Sequence, residues 1–180
     1  SRDELKQFEM RQQFPVDETP VRYFLGDIRD KERLYRVCHG VDYLVHTAAL
    51  KQVPTAEFNP SEAVKTNITG AEHVIEAALE NDVKKVIALS TDKACKPVNV
   101  MGMTKAIQER ILIQANMRCP NTRFVCVRYG NVLASRGSVI PLFHEQIRQG
   151  GPVTITTPDM TRFLITLDEA VDTVFSAIQE

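Results

Sequence analysis

Val86-Ile87-Ala88-Leu89-Ser90-Thr91-Asp92-Lys93 is a short apolar run that stops at small and polar residues. The same design recurs three times. Val21-Arg22-Tyr23-Phe24-Leu25 ends at Gly26-Asp27, Tyr43-Leu44-Val45-His46 ends at Thr47-Ala48-Ala49, and Phe124-Val125-Cys126-Val127 leads to Tyr129-Gly130-Asn131. Apolar runs that do not alternate with polar residues suit strands buried on both faces. Between them the spacing predicts helices at about 29–38, 60–80 and 101–117. In the second of these, Ala63, Ile68, Ala71, Val74, Ile75 and Ala78 recur at helical intervals. Strand–helix alternation of this kind predicts an α/β fold with a parallel sheet and right-handed crossovers. In open α/β sheets ligands bind beyond the carboxyl ends of the strands. Here those ends carry Asp27, Ala48-Ala49, Thr91-Asp92-Lys93 and Tyr129-Gly130-Asn131, which marks them as a binding site. Past residue 131 the rhythm changes. A helix is expected at 138–149, then a break at Gly150-Gly151-Pro152, a β-rich Val153-Thr154-Ile155-Thr156 and a last helix from about 168.

Composition narrows the function. The chain has 180 residues, enough for one domain with a real core. A net charge of −1 provides no chain-wide basic footprint for nucleic acid or an anionic membrane. No apolar run approaches the roughly 20 residues that cross a bilayer, so membrane insertion is not expected. The cysteines, Cys38, Cys95, Cys119 and Cys126, form no CxxC pair, and the four histidines are scattered, so no metal site is expected. A reducing, cytoplasmic setting fits this usage.

Ser90-Thr91-Asp92-Lys93-Ala94 followed by Pro97-Val98-Asn99-Val100-Met101-Gly102-Met103-Thr104-Lys105 resembles the catalytic signature of the bacterial UDP-N-acetylglucosamine 4,6-dehydratases, which are extended short-chain dehydrogenase/reductases of polysaccharide biosynthesis. Ala49-Leu50-Lys51-Gln52-Val53-Pro54, Asn59-Pro60, Thr66-Asn67 and Arg128-Tyr129-Gly130-Asn131-Val132 resemble the family's other blocks, in the family's order. The resemblance implies a Rossmann-like parallel sheet with helices on both faces, plus part of a small C-terminal portion that grips a UDP-sugar. On that reading residues 1–136 are a partial dinucleotide-binding domain and 137–180 a partial substrate-binding portion. No GxGxxG turn occurs, so the chain reads as a fragment that lacks the first βα unit of the fold.

The resemblance also assigns roles. Ser1, Arg2 and Lys6 lie in the stretch that resembles the loop at the adenosine ribose, and the cations Arg2 and Lys6 suit a 2′-phosphate, favouring NADP over NAD. Asp27-Ile28 resembles the adenine contact, although an Asp closing a strand is also a common helix N-cap. Ala48, Ala49, Lys51, Asn67, Lys105 and Tyr129 complete the implied cofactor set. Lys51, Asn131, Thr154 and Arg162 are the implied substrate contacts, with Arg136 a second candidate for the diphosphate.

Dehydration across C5 and C6 needs oxidation at C4, removal of the acidified C5 proton and protonation of the departing C6 hydroxyl. The resemblance makes Asp92 the acid and Lys93 the C5 base, and burial is expected to move both toward those states. Alone, an Asp-Lys pair reads as a surface turn. Met101 and Lys105 are four apart on one helix face, where most short-chain dehydrogenases carry Tyr-x-x-x-Lys. A thioether cannot take the O4 proton, so that task falls to Thr91, a water or Asp92, while Lys105 keeps the ribose. A bland core Met101 would instead leave a catalytically dead homologue. The leading expectation is NADP-dependent 4,6-dehydration of UDP-N-acetylglucosamine with inversion at C5 as an option, by an enzyme that is a homo-oligomer when full length. The alternatives are a UDP-hexose 4-epimerase, which would need neither Asp92 nor Lys93, and a non-catalytic dinucleotide-binding protein.

Overall fold

A computed structural model describes residues 1–135 and 137–180. In chain order the elements are α1 (Glu4–Gln13), α2 (Lys31–Val37), β1 (Tyr43–His46), α3 (Val53–Phe58) and α4 (Pro60–Val64). A π-helical turn, Lys65–Thr69, joins α4 to α5 (Gly70–Glu80), and β2 (Lys85–Leu89) follows. A 3₁₀ turn, Asp92–Ala94, then leads to α6 (Val100–Ala115), β3 (Arg123–Val127), β4 (Asn131–Val132), α7 (Val139–Arg148), β5 (Leu164–Ile165) and α8 (Leu167–Gln179).

The central sheet is parallel in the order β1-β2-β3, with Tyr43 opposite Lys85 and Lys85 opposite Arg123. Side chains of β2 point alternately to its two faces. Val86 and Ala88 pack with Val74, Ile75 and Ala78 of α5 and Leu112 and Ala115 of α6, whereas Ile87 packs with Val127 and with Ala177 of α8. Both faces are therefore covered, which is why β2 reads as an unbroken apolar run. Two polar side chains tie the helices to the strands. Asn116 brackets Phe124, accepting from its N–H at 2.8 Å and donating to its carbonyl at 3.0 Å. Lys85 donates to the Ile178 carbonyl at 2.7 Å, placing a cation at the C-terminal end of α8, where the helix dipole favours one.

Two expected strands are corrected. Val21–Leu25 forms no strand, because a strand exists only as part of a ladder. Its carbonyls accept from non-strand groups instead, Phe24 from the Ser1 amino group and the Gln7 side chain and Leu25 from the Arg33 side chain, and Phe24 and Leu25 stay half exposed. Val153–Thr156 is likewise irregular: the Thr154 backbone N–H bonds the Gln146 side chain instead of a neighbouring strand. The helices near 29–38, 60–80, 101–117, 138–149 and from 168 are present within a few residues of the expected bounds, the 60–80 stretch being interrupted by the π turn. Asp27 is not the cap of α2. Asp30 is, accepting from the Arg33 N–H at 2.9 Å.

Candidate functional site

Two adjoining cavities lie at the carboxyl ends of the central strands. The smaller, about 340 Å³, is lined by residues that include Lys51, Thr91, Lys93, Met101, Lys105, Tyr129 and Asn131. The larger, about 900 Å³, is lined by Ser1, Arg2, Lys6, Asp27, Ile28, Ala48 and Ala49 among others. Thr47 and Ala49 border both, so the two adjoin there.

The smaller cavity is assembled by three chain segments. The hydrogen-bonding pattern of β2 and β3 runs on past the strand ends: the Ser90 N–H donates to the Val127 carbonyl at 2.7 Å and the Asp92 N–H to the Tyr129 carbonyl at 3.1 Å. This sets Thr91-Asp92-Lys93 beside Tyr129-Gly130-Asn131. Asn131 is fixed in turn by its N–H to the Phe163 carbonyl at 2.8 Å. A side chain on Gly130 would put its Cβ 2.3 Å from that same carbonyl oxygen, so only glycine permits the approach. The third segment is the start of α6. Asn99 caps it by accepting from the Gly102 N–H at 2.8 Å, and the Glu57 carboxylate accepts from the Val100 N–H at 2.7 Å. At Gly102 a Cβ would stand 2.4 Å from the Lys93 carbonyl oxygen. The missing side chain lets the helix that carries Met101 and Lys105 lie against the turn that carries Lys93.

Within the cavity Lys93 is the hub. Its ammonium donates to Asp92 Oδ1 at 3.0 Å and to Asn131 Oδ1 at 2.8 Å. The Thr91 hydroxyl donates to the same Asp92 oxygen at 2.9 Å. Burial pushes the Asp92 carboxyl up, but hydrogen bonds from Lys93 and Thr91 and the Lys93 charge outweigh it, leaving the group below the ordinary carboxylate value. Asp92 thus rests ionised. This corrects the expectation that burial readies it as an acid, because the adjacent donors are stronger than the desolvation.

Lys105 is 6% exposed and donates to the Leu89 carbonyl at 2.5 Å. Burial lowers its ammonium to about 8, against the opposing influence of Cys126 and Glu109. Met101 is buried on the same helix face, packed with Ala56 and Ala63. It therefore has both the cavity-wall and the core character that its position in the sequence allowed.

The remaining assigned residues divide. Asp27 accepts from Arg29 at 2.8 Å and from Arg2 at 3.3 Å, and the Arg29 hydrogen bond takes its carboxyl down to about 2. Asn67 lines neither cavity. It is fully buried, accepts from the Leu50 N–H at 2.8 Å, and donates to the Leu50 carbonyl at 3.1 Å and to Thr104 at 3.0 Å. Its amide braces the loop before Lys51. Thr154 accepts from Gln146 at 2.7 Å on an exposed surface, and Arg162 donates to the Thr161 carbonyl at 2.7 Å; neither lines a cavity. Arg136 lies outside the described residues. The structure adds Gln52, Ser135 and Ser138 to the smaller cavity. The -Gln-Val-Pro- step after Lys51 was one available signal for Gln52, while the two serines lie in a loop with no periodicity to mark them. Among the described residues there is no cluster of potential metal ligands, and no helix is long and apolar enough to cross a membrane.

The parallel sheet, its covering helices and a cleft at the strand ends define a Rossmann-like α/β fold. The chain belongs to the polysaccharide biosynthesis protein family, whose profile matches residues 1–180. It is 53% identical over 181 residues to a UDP-glucose 4-epimerase of Rickettsia typhi, covering 99% of this chain and 52% of that protein. Among solved structures it resembles Pen from Bacillus thuringiensis at 41% identity and a TM-score of 0.95, covering 99% of this chain and 57% of that one. The dTDP-glucose 4,6-dehydratase DesIV of Streptomyces venezuelae, solved with NAD, shares the fold at a TM-score of 0.83 and 24% identity, over 92% of this chain and 57% of its own. The chain spans about half the length of the curated relatives it matches.

Proposed function

We propose that the protein to which this chain belongs is an NADP-dependent 4,6-dehydratase acting on UDP-N-acetylglucosamine. The observation that carries the reading is Lys93, in the same cavity as Lys105 and Asn131, with its ammonium on the carboxylate of Asp92, which itself lines neither cavity. A carboxylate and an amine side by side at a strand end provide the two proton-transfer groups that elimination needs and simple epimerisation does not. The larger cavity suits a dinucleotide: it adjoins the smaller one at Thr47 and Ala49, and Arg2 and Lys6 supply cations for a 2′-phosphate. When bound there, the nicotinamide supplies reversible hydride transfer. NAD is the alternative cofactor.

In this reading Lys105 donates to the cofactor ribose, and Thr91 or Asp92, or a water, receives the O4 proton that Met101 cannot. Lys93 removes the C5 proton as the free amine, after its ammonium proton has passed to Asp92 or to solvent, and Asp92, once protonated, delivers a proton to the C6 oxygen as the C6–O bond breaks. Reprotonation of C5 from the opposite face would invert that centre. Asn131 and Lys51 hold the sugar nucleotide, and residues 137–180, with Arg162, belong to the portion that grips the UDP. Asp92 must therefore gain a proton after binding, because it rests ionised. That resting state, with the name of the 53% identical relatives, favours a second reading, a UDP-hexose 4-epimerase.

Incubating the full-length protein with UDP-N-acetylglucosamine and following the sugar by NMR decides between them. The expected product is a 4-keto-6-deoxy sugar, with deuterium entering C5 in D₂O. A C4 epimer without C5 exchange supports the second reading, and no turnover with intact binding supports a non-catalytic protein. Asp92→Asn or Lys93→Ala is expected to slow elimination by about 10²–10⁴-fold while leaving the first hydride transfer, read as reduced-nicotinamide absorbance, much less affected.

A further inference from the structure

Glu109 lines neither cavity, yet it is a carboxylate only 5% exposed. A buried charge without compensation is expensive, so its partner matters. That partner is Arg128, the residue just after β3. The Arg128 Nε–H donates to Glu109 Oε1 at 2.7 Å, and its Nη2 donates to the other carboxylate oxygen, forming a fork. Glu109 also stands four residues beyond Lys105 on α6, so the two side chains are neighbours on one helix face. The fork thus joins the helix that carries Lys105 to the strand end that carries Tyr129 and Asn131.

The other titratable groups that act on Lys105 come from both neighbouring strands. On β1, His46 is pushed down to about 4 by burial and by the Lys105 charge. On β3, burial pushes the Cys126 thiol up to about 11. Both are neutral near pH 7. Burial would raise the Glu109 carboxyl, but the Arg128 hydrogen bond and the nearby cations hold it below the ordinary value. Glu109 is thus the anion that opposes the desolvation of Lys105.

We propose that Glu109, clamped by Arg128, is a positioning residue that keeps Lys105 an ammonium and aims it at the cleft. One Lys105 proton is committed to the Leu89 carbonyl. The carboxylate one turn away keeps the ammonium protonated, so that its other protons are available to a hydroxyl-bearing ligand. The part that concerns this ligand rests on the proposed cofactor role of Lys105; the part that concerns the charge does not.

The test is an NMR titration of the full-length protein labelled with ¹³C at lysine Cε, with the Lys105 signal assigned by its loss in Lys105→Arg. Glu109→Gln keeps size and hydrogen-bonding capacity. It is expected to lower the Lys105 midpoint by about one pH unit, a tenfold loss of proton affinity. Arg128→Met removes the donors that hold the buried Glu109 ionised and is expected to move the midpoint downward as well. General loosening of the fold would relieve the burial of Lys105 and raise its midpoint, so a downward shift is distinct from it, and the second variant still decides the matter if the first does not fold. An unchanged or raised midpoint in either folded variant overturns the proposal. Calorimetry with NADP across the same pH range then separates the two readings. If Glu109→Gln moves the midpoint while Lys105→Ala binds NADP normally, the positioning of Lys105 stands and its proposed role at the cofactor falls.

Discussion

At the scale of single residues, Lys105 is a charge that this fold buries at a cost in stability. Its ammonium is lowered from 10.5 to about 8 by burial, so the unfolded chain binds that proton more tightly than the folded one. Protons bound in excess by the unfolded state make stability rise with pH, here from about 8 to 10.5. Below pH 8 the buried charge costs on the order of 3 kcal/mol. Lys105→Met is therefore expected to raise stability at pH 7 by roughly 1–3 kcal/mol, less the lost bond to Leu89, and to flatten the rise above pH 8. Urea unfolding at pH 7 and pH 10 measures both, and a destabilised variant with an unaltered pH slope would refute the account. On the proposed function, turnover by the full-length protein carrying the same substitution is expected to be lost.

At the scale of elements, the packing of α6 against the 3₁₀ turn Asp92–Ala94 decides whether the site exists. Gly102 sits inside a helix, where alanine would ordinarily gain up to about 1 kcal/mol. Here the added Cβ would meet the Lys93 carbonyl oxygen at 2.4 Å, and backbone cannot yield as a side-chain tip can. Overpacking of this kind costs roughly 1–3 kcal/mol, so Gly102→Ala is expected to lower the thermal midpoint despite its better propensity. It should also reduce turnover, because relief of the clash moves Lys93 away from Lys105. Gly151→Ala, whose Cβ would find its nearest neighbour at 3.8 Å, is the control expected to leave both unchanged. A midpoint raised by Gly102→Ala would show that helix propensity outweighs the close approach.

At the scale of the whole molecule, the sheet carries its own pH sensitivity. His46 closes β1, is 4% exposed, and is lowered from 6.5 to about 4, first by burial and then by the Lys105 charge. The unfolded chain protonates this ring before the folded one does. The stability it contributes is complete above about pH 6.5 and is lost as pH falls toward 4, amounting to about 3 kcal/mol. Denaturant unfolding at pH 7 and pH 4.5 should show that loss in the parent protein and much less of it in His46→Gln. Equal losses in both would assign the acid sensitivity to carboxylates such as Asp27 instead. The same three-dimensional arrangement leaves β1 at one side of the sheet with Tyr43 and Val45 exposed, while β2, held between two strands and covered by α5, α6 and α8, is the most buried strand.

What the amino-acid sequence determined by itself was whatever side-chain periodicity encodes locally. The unbroken apolar runs of β2 and β3 and the helical spacing around α5 and α6 are of this kind, because burial on a strand or a helix repeats at intervals read along the chain. Strand ends marked by small and polar residues located Thr91, Lys93 and Asn131 in the same way. Tertiary structure alone decided whatever depends on a partner distant in the chain. Val21–Leu25 has the composition of a strand and is not one, since a ladder requires a neighbour at hydrogen-bonding distance. Asn67 is polar and fully buried because Leu50 and Thr104, 17 and 37 residues away, consume its amide. Lys93, which holds Asp92 ionised, is itself held by Asn131, 38 residues away. The Glu109–Arg128 fork, spanning 19 residues, has no local signature. Charges act through space, and folding brings these two groups within reach of each other.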